Sequence, residues 1–140
     1  MKKAFNRILI IDDDPTFIFL TKMTLSKISF AKDITSYTDP AEALIDLKKV
    51  SSDTNYDLPE IIFLDLSMPV MDGWNFLDEY HYLPDTLIQN CKIFILYSSI
   101  DPDDIKRSQS YPKVLDIISK PLAINKVKEI QEHSYKQVIK

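Results

Sequence analysis

Three aspartates follow a short apolar run in "RILIIDDDP" (7–15), and a fourth ends another in "EIIFLDLSMPVMDG" (60–73). A lysine follows a third run in "VLDIISKP" (114–121), and hydroxyls follow a fourth in "KIFILYSS" (92–99). Asp12, Asp13 and Asp65 would repel one another at close quarters. A hard divalent cation removes that repulsion, and Mg²⁺ suits a few carboxylates together with water and phosphate oxygens. One Asp65 oxygen would then stay free to attack a phosphoryl group. Mg²⁺, the Lys120 ammonium and a hydroxyl from Tyr97 or Ser98 could share the charge on the phosphoryl oxygens. The chemistry these residues suggest is in-line phosphoryl transfer onto a carboxylate.

Such a site needs elements that deliver all four segments to one place. The apolar runs at 7–11, 60–64, 92–96 and 114–118, with a weaker one, "DITSY", at 33–37, read as strands. Helical spacing appears between them. Phe17, Leu20, Thr24 and Ile28 share a face over 15–29, and Ala43, Leu44 and Leu47 over 40–50. Ile124, Val127 and Val138 do so over 122–138, and Trp74, Leu77 and Tyr80 mark helix packing after Gly73. "DPDDIKRSQS" (101–110) reads as a solvated helix and "VSSDTNYDLPE" (50–60) as a loop. Asp14-Pro15 and Asp39-Pro40 each place a capping acid before a first-turn proline, and Glu42 could complete a capping box with Asp39. Strands alternating with helices predict an α/β fold, a doubly wound parallel sheet of five strands with five helices. The crevice outside the carboxyl ends of such a sheet is where ligands bind, and the acids, hydroxyls and lysine all fall there.

The 140 residues predict one domain over 1–140. No apolar run approaches the roughly 20 residues of a membrane span. The basic start is too short in apolar residues for a signal peptide, so a cytoplasmic location is the default. Cys91 is the single cysteine, which excludes an internal disulfide, and it reads as a buried structural thiol. A net charge of −4 provides no footprint for nucleic acid. His81 and His133 lack metal-ligand spacing and read as surface residues.

Together, "ILIIDDDP", "IIFLDLSMPVMDG" and "ISKP" closely resemble the receiver domain of two-component response regulators, the chemotaxis-Y-like type, across nearly the whole chain. The resemblance implies a flavodoxin-like (βα)5 fold with strand order 2-1-3-4-5. It implies Asp65 as phosphoacceptor, Mg²⁺ held by Asp13 and Asp65 directly and by Asp12 mainly through water, and the Ser67 carbonyl as a further ligand. Lys120 would contact the phosphoryl group, and Lys120–Pro121 would be cis, although sequence alone favours trans. Pro69 and Gly73 would shape the loop beside the acceptor, through a fixed φ and through close backbone approach or positive φ.

Two positions depart from that family. Its hydroxyl at the end of strand four falls on Tyr97 in an ungapped reading or on Ser98 after a one-residue shift. Ile117 stands where its switch aromatic is usual. The resemblance implies a stand-alone, non-enzymatic module that promotes only its own phosphorylation and dephosphorylation. Its partners would be a sensor histidine kinase or histidine phosphotransfer protein and a downstream protein. The face around the fourth helix, fifth strand and fifth helix would serve output or homodimer contacts. Two other readings exist: a pseudo-receiver that binds without phosphorylation, and a haloacid-dehalogenase-type phosphatase with Asp12 as nucleophile. The second rests on D-x-D-x-T at Asp12, Asp14 and Thr16, but only 20 residues follow Lys120 and they leave no room for its last acidic motif.

Overall fold

The structure, a computed structural model, describes residues 5–51 and 58–139. Most of the expected loop at 50–60 therefore lies outside the described residues, as do the side chains of His133 and Val138. Five strands form one sheet: β1 (Phe5–Ile11), β2 (Ala31–Tyr37), β3 (Ile61–Asp65), β4 (Lys92–Tyr97) and β5 (Val114–Ser119). All pairings are parallel, and the order is β2-β1-β3-β4-β5, as expected. The connecting helices are α1 (Pro15–Lys27), α2 (Pro40–Ser51), α3 (Gly73–Tyr80), α4 (Asp85–Asn90), α5 (Pro102–Ser108) and α6 (Ile124–Ile139).

The three central strands are buried on both faces, which explains their unbroken apolar runs. On one face Leu9, Ile62 and Ile95 pack with Ala43 and Leu47 of α2 and Phe76 and Leu77 of α3. On the other, Ile10, Phe63 and Phe94 pack with Ile18 and Leu25 of α1 and Val127 and Ile130 of α6. A run of tilted rings, Phe5–Phe30–Phe63–Phe94, crosses that second face at centroid spacings of 4.9, 6.0 and 5.9 Å. Cys91 is fully buried, as expected, and burial pushes its thiol up to about 12, so the group is inert.

Several sequence expectations are corrected. The inward face of α1 is Ile18, Thr21 and Leu25, one residue off the expected Phe17–Leu20–Thr24–Ile28 line. Leu20, with Phe19 and Met23, is exposed, because α1 is apolar nearly all round and only packing chooses its inner face. α1 also stops at Lys27: Ser29 takes a left-handed φ of 50°, and the Phe30 N–H turns back to the Leu25 carbonyl at 3.1 Å. β2 starts at Ala31 rather than Asp33, since pairing with β1 through Phe5–Ala31 extends this polar edge strand. A sixth helix, α4, follows Pro84; six residues are too few to show a helical period. The caps of α3 and α5 are reciprocal boxes, Asp72 with Asn75 and Asp101 with Asp104.

Candidate functional site

The site is assembled by the sheet register. Asp12 N–H donates to the Tyr37 carbonyl at 3.0 Å, Leu66 N–H to Leu96 at 3.0 Å, and Lys120 N–H to Tyr97 at 2.8 Å. These bonds continue the ladders one residue past the strands and hold the tips of β1, β3 and β5 level. Asp12, Asp13 and Asp65 consequently offer carboxylate oxygens that all lie within 4.8 Å of one another. Asp12 and Asp65 are buried, at 1% and 4% exposure, while Asp13 is open to solvent.

Lys120 crosses from β5 to meet them. Its Nζ lies 2.8 Å from Asp12 Oδ2 and 3.1 Å from Asp65 Oδ1, and 4.2 Å from the centroid of the Phe17 ring. Burial, and then the charge of Asp12, push Asp65 from 3.8 up to about 6 against the pull of Lys120. Burial works against the Lys120 ammonium, but Asp12 and Asp65 together outweigh it and hold its pKa above the ordinary lysine value. Asp14 stands apart from this cluster. Its carboxylate accepts the Thr16 N–H at 3.0 Å and caps α1, while its own N–H donates to Asp12 Oδ1 at 2.9 Å.

The loop after Asp65 is built around the lone glycine. A Cβ on Gly73 would stand 2.9 Å from the Asp65 carbonyl oxygen, closer than side chains approach backbone, and a tight 3.0 Å from Leu66 Cα. Close approach is thus what Gly73 serves. The left-handed residue of the loop is instead Val70, with φ 67° and a fully exposed side chain. A β-branched side chain gives no sequence warning of such a backbone. Ser67 N–H donates to Asp65 Oδ1 at 3.3 Å. An open crevice of about 530 Å³ lies alongside, lined by Ser67, Pro69, Asp72, Trp74, Ser99 and Asp104 among others. Trp74 packs as expected, stacked on Tyr111 at 5.6 Å beneath the Arg107 guanidinium at 4.8 Å.

At the end of β4 the two candidate hydroxyl residues part. Tyr97 packs against the α2–α3 side of the core and, with Ile105 and Ile117, lines a hollow of about 290 Å³ between α5 and β5. Ser98, one residue on, is exposed. The peptide Lys120–Pro121 is cis.

Residues 8–132 match the response regulator receiver domain family. The chain belongs to that family. Solved receivers agree over their whole length. A two-component response regulator from Cytophaga hutchinsonii superposes with a TM-score of 0.87 at 25% identity, covering 96% of this chain and 99% of that one. A response regulator receiver protein from Dyadobacter fermentans DSM 18053 gives 0.79 at 25% identity, over 92% and 97%. A CheY-like receiver domain protein from Methanospirillum hungatei JF-1 gives 0.69 at 26% identity, over 95% and 96%. No curated protein sequence matches the chain. The acidic cluster Asp12, Asp13 and Asp65 fits the site of a receiver domain. No helix among its described residues is long and apolar enough to cross a membrane.

The sequence missed Phe17 as a neighbour of the lysine. Its signal was available only as position, since one turn of helix past Asp13 places residue 17 near the strand tips.

Proposed function

We propose that this receiver accepts a phosphoryl group on Asp65 from the phosphohistidine of a sensor kinase or phosphotransfer protein and loses it by hydrolysis. The observation that carries the reading is Asp65, buried at the tip of β3, with the Lys120 ammonium 3.1 Å away and two further carboxylates beside it. An Asp65 oxygen forms a bond to phosphorus while the bond from phosphorus to the donor's imidazole nitrogen breaks, its electron pair leaving with the imidazole. Water later attacks phosphorus, inorganic phosphate departs, and the carboxylate is restored. Lys120 donates to a phosphoryl oxygen, and its two acid neighbours keep it charged for that task.

The donor set fits a hard cation, being three carboxylates on adjacent loop ends with oxygens within 4.8 Å. Asp13 and Asp65, Asp12 mainly through water, and the Ser67 carbonyl are the groups that would hold Mg²⁺, which when bound offsets charge on the phosphoryl oxygens. Ser98 is favoured over Tyr97 as the hydroxyl contact, because the Tyr97 ring is committed to the core and the α5–β5 hollow. Output, to a downstream protein or a second copy, would run through the α5–β5–α6 face, where Ile105 and Leu115 stand exposed. The setting proposed is the cytoplasm, and the only chemistry is the receiver's own phosphorylation and dephosphorylation.

Acetyl phosphate with Mg²⁺ tests the reading. Wild type should gain one phosphoryl group at Asp65, and Asp65→Asn should gain none while staying folded. Labelling of Asp65→Asn at the wild-type rate would refute the acceptor assignment. Turnover dependent on Asp12 would indicate the phosphatase instead, and a wild type that takes no label would leave a binding module.

A further inference from the structure

The Lys120 ammonium has three donors and a long flexible stem. Two directions are taken by Asp12 Oδ2 at 2.8 Å and Asp65 Oδ1 at 3.1 Å, and Phe17 covers a third, with its centroid 4.2 Å from Nζ. That distance is within the roughly 6 Å over which an aromatic face attracts a cation. We infer that Phe17 is a positioning residue, whose ring face holds the Lys120 ammonium against the Asp12–Asp65 pair and shields it from water. The inference rests on the reading that Lys120 serves phosphoryl transfer at Asp65.

The local structure supports this role. Phe17 lies in the first turn of α1, and that turn is tied to the site by the Asp14 cap and by the Asp14 N–H bond to Asp12 Oδ1. Its neighbours on the helix, Phe19, Leu20 and Met23, face solvent, whereas Phe17 is half-buried against the α1–α6 side of the core. A phenylalanine has two side-chain torsions and, packed in this way, forms a stiff wall for a lysine that has four. Lys120 itself is only 15% exposed, so the ring acts where water competes weakly. When Asp65 attacks acetyl phosphate, a bond forms to phosphorus and the bond to the acetate oxygen breaks with its electron pair. The negative oxygens of the transferring group then need the ammonium held in place rather than swinging to solvent.

A plain packing role for Phe17 makes different demands, and one series separates the two. Phe17 would be replaced by Leu, by Tyr, and by mono-, di- and trifluorinated phenylalanines that keep the shape while draining the ring face of negative charge. Labelling by acetyl phosphate and Mg²⁺ is expected to slow about five-fold in Phe17→Leu and stepwise along the fluorinated series, and to stay within about two-fold in Phe17→Tyr. In the unphosphorylated protein, the Lys120 ε-methylene protons should be shifted upfield by the ring in wild type and move downfield in Phe17→Leu. Urea titrations report on folding throughout. A flat fluorinated series, or Lys120 protons without the upfield shift, overturns the inference while wild-type labelling leaves the acceptor reading standing. A wild type that takes no label overturns that reading, and the role of Phe17 in transfer falls with it.

Discussion

Asp65→Asn should stabilise the metal-free protein at neutral pH, a gain that reads the electrostatics of the site directly. Asp65 is 4% exposed, and burial, then the charge of Asp12, push its pKa from 3.8 up to about 6. Its folded-state pKa lies above the unfolded value, so between those limits the native state binds more protons than the unfolded one. Stability due to this group therefore falls as pH rises from about 4 to about 6, and the cost is complete above that window. A rise of this size amounts to about 3 kcal/mol. Asparagine keeps an Oδ1 to accept the Ser67 N–H, sheds the charge, and leaves Lys120 paired with Asp12. Urea midpoints of wild type and variant, taken from pH 4 to 8 in EDTA, give the difference. It should be small at pH 4 and reach its full size by pH 7. Mg²⁺ should then shrink it, because a cation at ten times its Kd adds about 1.4 kcal/mol to the wild type alone. A variant no more stable than wild type at pH 7 in EDTA would show that burial and Asp12 do not load Asp65 as argued.

The ion pairs and the loop make further demands. Lys120→Met leaves Asp12 and Asp65 facing each other without a cation, and should cost about 3 kcal/mol in EDTA by urea melt, part of it recovered by Mg²⁺. Gly73→Ala drives a methyl to 2.9 Å from the Asp65 carbonyl oxygen; about 1–3 kcal/mol of stability should go, and labelling by acetyl phosphate should slow as the loop after Asp65 shifts. Val70→Asn relieves a β-branched residue held at φ 67° with nothing packed on it, and should raise thermal stability by about 1 kcal/mol without changing the labelling rate.

What the sequence determined by itself was the alternation of elements and the chemistry at their ends. Ile8–Ile11, Ile61–Leu64 and Ile93–Leu96 are apolar without a break because both faces of those strands are covered, and that pattern survives in one dimension. The acids, hydroxyls and lysine were legible for the same reason: each follows a strand, and parallel strands put their ends on one edge. Asp14 and Cys91 also have the local roles their neighbours announce, a helix cap and a buried thiol. Tertiary structure alone decided which side of α1 faces inward, since Phe17, Ile18, Phe19 and Leu20 are all apolar and only the position of the sheet distinguishes them. It also decided that Val70 rather than Gly73 takes the left-handed backbone, and that Gly73 makes room for the Asp65 carbonyl. The meeting of Lys120 with Asp12, 108 residues away in the chain, and with Phe17 follows from the register of β1, β3 and β5. Local patterns record what a residue's own segment needs; which distant groups come within a few ångströms is set only when the segments pack.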